Sequence, residues 1–187
     1  MDFIEQNQEI FFGKRYRGAS ISRMGLPGGC ASKIQKWNAE NLGNFLVVLG
    51  PPGSGKTYLC AALYAYVAKS FRTIRCYHER ELLQKLRHLI SGPGYGDYLA
   101  YLHYLTDDDL IILDDVGSSG FNEWREEVIF EFVDYRYNQQ KATIITSNLA
   151  YDDFDQLSKG RIASRLFADE NTILDFSPIG DLRKEGK

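Results

Sequence analysis

The chain has 187 residues, 44% of them hydrophobic and 25% charged, with a formal net charge of −3. That length suits one α/β domain that buries a core without disulfide or metal, and the composition excludes wholesale disorder. A simple polyanion binder is excluded for the chain as a whole, but the charge is uneven: residues 1–100 sum to +6, 101–140 to −8 and 141–187 to −1, so local basic surface neither implies nor excludes nucleic acid.

Residues 1–29 are mixed, with a basic-aromatic piece over 11–17 and a Gly/Pro turn region over 25–29. The start, Met1-Asp2-Phe3-Ile4-Glu5, is no signal peptide, and apolar runs such as 45–49 and 110–113 are too short for a bilayer. A cytoplasmic protein without membrane contact is expected. Ile34, Trp37 and Leu42 predict an amphipathic helix over 31–42. Phe45–Leu49 reads as a buried parallel strand running into Gly50-Pro51-Pro52-Gly53. A helix is predicted over 56–70, a strand over 73–77 and a helix over 79–90 with Leu82, Leu83, Leu86 and Leu89 on one side. Gly and Pro in 91–94 break it, and another helix follows over 97–105. Residues 110–113 form a third strand closed by Asp114-Asp115, and a loop over 117–122 leads to a long helix over 123–139. A fourth strand over 143–146, a helix over 159–168 and a strand over 172–176 complete the series. Strand and helix alternate, so the sheet should be parallel with helices on both faces. The odd, isolated Cys30, Cys60 and Cys76 suit buried reduced thiols, and no structural metal is expected.

Gly50-Pro51-Pro52-Gly53-Ser54-Gly55-Lys56-Thr57 fits the phosphate-binding pattern G-x-x-x-x-G-K-[ST] throughout. Its glycines let the backbone curl so that N–H groups converge on phosphate oxygens, and the following helix adds its positive end. Pro52, Gly53, Ser54, Gly55, Lys56, Thr57 and Tyr58 are therefore assigned to nucleotide binding. Lys56 would reach the β and γ phosphates, and the Thr57 hydroxyl would complete a Mg²⁺ shell. The acids at the tip of the third strand supply the rest: Asp114 on the metal side, Asp115 to polarise attacking water. Asn148, after the fourth strand, suits a sensor that hydrogen-bonds that water or the γ-phosphate. Arg161 and Arg165 lie four apart on one helix face, where one could act as a finger toward a neighbour's γ-phosphate. Neither an [NT]-K-x-D guanine motif nor an LSGGQ-like signature follows the loop. A small-molecule kinase stays open, although residues 91–106 are Tyr-rich and Arg-poor where an arginine-rich lid would sit.

In order, the P-loop, L-I-I-L-D-D-V-G, N-E-W-R-E-E-V-I-F-E-F-V-D-Y-R-Y, T-I-I-T-S-N-L and G-R-I-A-S-R-L resemble bacterial replicative helicase loaders of the DnaC/DnaI type and the related IstB transposition ATPases, within the AAA+ class. The resemblance runs from about Lys14 to Arg183. It implies an AAA+ core with a five-stranded parallel sheet of order 5-1-4-3-2 and no helical lid domain, preceded over residues 1–43 by a linker and first helix. It implies Mg²⁺-dependent ATP hydrolysis, Asn148 as the first sensor, and Arg165 acting in trans with Arg161 assisting. ATP would then sit between subunits of a ring or spiral, with Tyr16 and Arg17 bordering the adenine. The implied function is to couple ATP state to single-stranded DNA binding and delivery of a replicative helicase. The alternatives are an IstB-like regulator of transposition acting on duplex DNA, a small-molecule kinase, and a nucleotide-gated module without turnover. Two departures stand out. The residues before Phe45 look like the core's own linker and first helix, not the separate helicase-gripping module of the loaders. Asp115 replaces the glutamate usual in the wider class, and its shorter side chain fits slow or partner-stimulated hydrolysis.

DNA binding needs cations and flat faces. Arg80, Lys85, Arg87 and His88, followed by Tyr95, Tyr98, Tyr101 and Tyr104, offer both. The competing reading is an aromatic face packed on the sheet and cations that are simply solvated.

Overall fold

The structure is a computed structural model that describes residues 2–40, 43–90, 98–118, 120 and 122–182. Leu42, the 91–94 breaker, Tyr95 and Arg183 lie outside these described residues.

The chain opens with a helix absent from the sequence reading, α1 (Phe3–Phe12), capped by the Asp2 carboxylate and stopped at Gly13, whose φ is 92°. Its pattern hides it: Phe3 and Ile10 are 72% and 66% exposed, whereas the polar Gln8 is buried. Next, α2 (Cys30–Glu40) buries Ile34 and Trp37, and the Trp37 indole donates to the Asn44 carbonyl. Then β1 (Phe45–Leu49), α3 (Lys56–Val67), β2 (Ile74–His78), α4 (Glu79–Ile90), α5 (Tyr98–Thr106), β3 (Leu110–Val116), α6 (Glu123–Asn138), β4 (Ala142–Ser147), α7 (Tyr151–Gln156), α8 (Arg161–Leu166) and β5 (Thr172–Asp175) follow in order.

The strands form one parallel sheet of order β2-β3-β4-β1-β5, the expected order read from the other edge. Both faces are covered, which is why β1 and the first four residues of β3 are continuously apolar rather than alternating. Leu46, Val48, Ile112, Ile144 and Leu174 pack on one face with α3 and with Phe12, Ile34 and Trp37 of the N-terminal helices. Phe45, Val47, Ile111, Leu113 and Ile145 pack on the other with Leu82, Leu86, Leu102, Phe132 and Ile162. Residues before Phe45 are thus built into the same core as the sheet.

Three details depart from the sequence reading. The third strand continues through both acids to Val116, with an irregularity between Leu113 and Val116. A short helix, α7, precedes α8, and α8 itself spans only Arg161–Leu166. Among the described residues no helix follows β5, and none is long and apolar enough to cross a membrane.

A candidate nucleotide site at the carboxyl edge of the sheet

The tips of β1, β3 and β4 lie side by side, so the loops that leave them converge. After β1 the chain turns through residues 50–55 and enters α3 at Lys56. The turn needs glycine. Gly50 has φ 157°, and a Cβ there would lie 2.6 Å from the Cβ of Phe176. Gly53 has φ 84°, and a Cβ there would lie 2.0 Å from the Asp181 carboxylate.

Lys56 is buried, and its ammonium donates to the Gly50 carbonyl (2.6 Å), the Pro51 carbonyl (2.8 Å) and Asn148 Oδ1 (2.7 Å). Asn148 Nδ2 donates in turn to Asp115 Oδ1 at 3.0 Å. The asparagine therefore bridges the P-loop lysine and the second acid. Asp115 sits at φ 65°, unusual for a residue with a side chain, and its N–H donates to Thr146 Oγ1 at 2.9 Å. That turn aims consecutive carboxylates differently. Asp114 is buried and accepts from Thr57 Oγ1 (2.8 Å) and Thr146 Oγ1 (2.5 Å). Thr57 and Asp114 present adjacent hard oxygen donors, the set that Mg²⁺ takes beside phosphate. Ser54 Oγ is buried in the loop with no hydrogen-bond partner among the described residues, a polar atom left for a ligand to satisfy. The donor set and the glycine-lined loop fit ATP with Mg²⁺.

An open cavity of about 600 Å³ runs from this loop toward the N-terminal segment. Pro52, Gly53, Gly55, Lys56, Thr57, Tyr58, Asp114, Asp115, Asn148 and Tyr16 line it. Arg17 does not: it turns back to Glu5 (3.4 Å) and Glu9 (3.9 Å) of α1, and Arg15 lines the cavity instead. Arg23, Met24, His78 and Leu182 also line it. These are single residues without a spacing pattern, so nothing in the sequence marked them. His78 Nδ1 lies 3.3 Å from Asp114 Oδ2. The Cys60 thiol is 3.7 Å from Asp114 Oδ1, and burial chiefly pushes its pKa well above the usual range. Behind the acids, Gly117 N–H donates to buried Glu79 at 3.0 Å.

Arg161 and Arg165 are brought together but do not line this cavity. Arg165 donates to Asp134 Oδ1 from Nε at 2.5 Å and also pairs with it through Nη2; Nη1 donates to the Arg161 carbonyl at 2.9 Å. Both guanidiniums sit over Phe130, at 4.0 Å for Arg161 and 5.2 Å for Arg165. On α4, Lys85 pairs with Glu81 and lies over Tyr77, and Arg87 stacks on Trp124. Arg80 and His88 are exposed. Tyr98 and Tyr101 pack against the core, whereas Tyr104 is 75% exposed.

A glycine-rich loop joining a buried parallel strand to a lysine-led helix, facing two acids and an asparagine on neighbouring strand tips, defines a P-loop nucleotide-binding core of the AAA+ type. The chain belongs to the IstB-like ATP-binding protein family, whose family model matches residues 36–167. It is 26% identical over 137 residues to the replicative helicase loader DnaC of Buchnera aphidicola subsp. Acyrthosiphon pisum, covering 73% of this chain and 55% of that one. It is 30% identical over 115 residues to an insertion sequence IS232 protein of Bacillus thuringiensis subsp. berliner, covering 60% and 43%. The crystal structure of the DnaC helicase loader superimposes with a TM-score of 0.71 at 26% identity, covering 87% of this chain and 98% of that one. The chain spans about half the length of the curated relatives it matches.

Proposed function

We propose that the chain is a Mg²⁺-dependent ATPase of the helicase-loader kind, coupling ATP state to single-stranded DNA binding and delivery of a replicative helicase. The observation that carries the nucleotide chemistry is the linked set Lys56–Asn148–Asp115 beside Thr57–Asp114. Mg²⁺, held by Thr57 and Asp114, would neutralise charge on the β and γ phosphates. Lys56 exchanges its carbonyl partners for phosphate oxygens. Asn148 orients the attacking water, and Asp115 accepts its proton. The named relatives carry the biological half of the reading: DnaC is a replicative helicase loader.

The site residues Tyr16 and Tyr58 flank the base in this reading, and Arg165 completes a neighbour's site in a homo-oligomer, with Arg161 beside it. A second reading, an IstB-like transposition ATPase acting on duplex DNA, is favoured by the family match and the insertion-sequence relative.

Lys56→Ala should abolish measurable ATP affinity or turnover in equilibrium binding and phosphate-release assays; retained activity would remove the P-loop reading. Equal-length labelled single-stranded and duplex oligonucleotides, with an ATP analogue, ADP or no nucleotide, separate the two DNA readings. Single-strand preference that requires the ATP analogue supports the loader. Duplex preference supports the transposition ATPase.

A further inference from the structure

One buried polar side chain fastens α1 both to α3 and to the segment between Tyr16 and Met24. Gln8 is 1% exposed, in a contact otherwise made by Ile4, Phe11, Phe12 and Tyr64. Its amide is fully engaged. Nε2 donates to the carbonyls of Ala19 and Ala61, both at 2.8 Å, and Oε1 accepts from Gly18 N–H at 2.9 Å. Ala61 belongs to α3, the helix that begins with Lys56 and Thr57. Gly18 and Ala19 lie between Tyr16 and Met24, both of which line the cavity.

Gln8 therefore links the helix that carries the phosphate machinery to the segment that walls the cavity's far end. The same segment is held by the Ser20 N–H donating to Tyr58 Oη (3.4 Å) and by Arg23 Nη1 donating to the Gly18 carbonyl (3.3 Å). Met24 closes against the P-loop: a Cβ on Gly55 would lie 3.2 Å from its terminal methyl.

We propose that Gln8 is a positioning residue for the base end of the nucleotide. It fixes the distance between the Tyr16–Met24 wall and the P-loop, and so sets the preference for a nucleoside triphosphate over a bare triphosphate chain. This rests on the reading that the cavity takes ATP with its base toward the N-terminal segment. An apolar residue at this position would leave α1 packed but the wall unregistered, because the bonds that tie Gly18 and Ala19 to Ala61 of α3 all pass through the amide.

The test compares Mg·ATP and Mg·tripolyphosphate binding to the full chain by calorimetry. Wild type is expected to favour ATP by about tenfold or more. Gln8→Ala should lose most of that preference, weakening ATP about tenfold while tripolyphosphate stays within about twofold. Gln8→Met, which keeps volume and removes all three bonds, should do the same if the alanine variant folds poorly. Leu86→Ala, on the opposite face of the sheet, should lower Tm and leave the preference intact. An unchanged preference in both Gln8 variants, equal weakening of both ligands, or a matching loss in Leu86→Ala overturns the proposal. A wild type with no preference overturns the reading of the cavity on which it stands.

Discussion

Arg136 is fully buried and donates to five acceptors: Thr143 Oγ1 (2.7 Å) and the carbonyls of Thr106 (2.5 Å), Asp108 (3.0 Å), Asp109 (3.3 Å) and Ala142 (2.6 Å). Burial is the main cause that brings its pKa down to about 10, which still leaves it charged at neutral pH. It joins the end of α5 to the turn before β3 and to the start of β4, and its bonds to Thr106, Thr143 and Ala142 satisfy buried acceptors. Arg136→Met should cost about 3–5 kcal/mol in denaturant unfolding, and Arg136→Lys should recover little, because a point ammonium cannot reach five planar-fork acceptors. Glu79 behaves oppositely. Burial raises its pKa, so the ionised form is penalised in the fold; its contribution to stability is greatest at low pH and is lost as pH rises through the folded pKa. Glu79→Gln should therefore raise Tm relative to wild type at pH 7.5, with the gain shrinking toward pH 4.5 in paired thermal scans.

The helix α6 shows why a short motif can be so recognisable. In Asp134-Tyr135-Arg136-Tyr137 every side chain is committed: Asp134 to Arg165, Tyr135 Oη to Asp107 (2.6 Å), Arg136 to the strand ends and Tyr137 Oη to Glu170 (2.7 Å). On α5 the tyrosine stripe splits between two environments. Tyr101→Ala should lower Tm, whereas Tyr104→Ala should leave stability unchanged and weaken single-strand binding if DNA crosses this helix, as fluorescence anisotropy beside the melting curve would show. The elements that the sequence reading captured are those with a strong period: the buried strands, the leucine face of α4 and the glycine-punctuated loop. α1 escaped because its buried position 8 is an amide while Phe3 and Ile10 face solvent. Arg17 was misplaced because the helical turn over Lys14–Tyr16 rotates Arg15 toward the cavity and Arg17 back onto α1. Pattern reports which face a residue occupies, not which of two cations flanking Tyr16 a turn delivers.

Across the whole molecule, the cavity and the Arg161–Arg165 pair occupy different places, and neither arginine lines the cavity of its own chain. Arg165 is held by Asp134 instead, and Asp134 and Glu127 both lie near Glu131 in the acidic stretch over 101–140. In the proposed assembly Arg165 exchanges Asp134 for a neighbour's phosphate. Wild-type hydrolysis per subunit should then rise with protein concentration, while Arg165→Ala should bind ATP within about twofold of wild type and show a flat, low rate per subunit. A rate independent of both Arg165 and concentration would mark a monomeric enzyme.

The place of β5 bears on how the chain is made. Among the described residues it is the last strand, yet its only partner there is β1, more than a hundred residues earlier, and beyond it the Leu182 N–H closes on the Gly53 carbonyl. A nascent chain ending before Thr172 exposes the apolar edge of β1, Phe45-Leu46-Val47-Val48-Leu49, with four of its five residues normally buried. Such an edge invites pairing with other chains. Among the described residues the strand that covers this edge is the last to emerge, and a chain truncated before Thr172 should aggregate in light-scattering assays rather than turn over slowly.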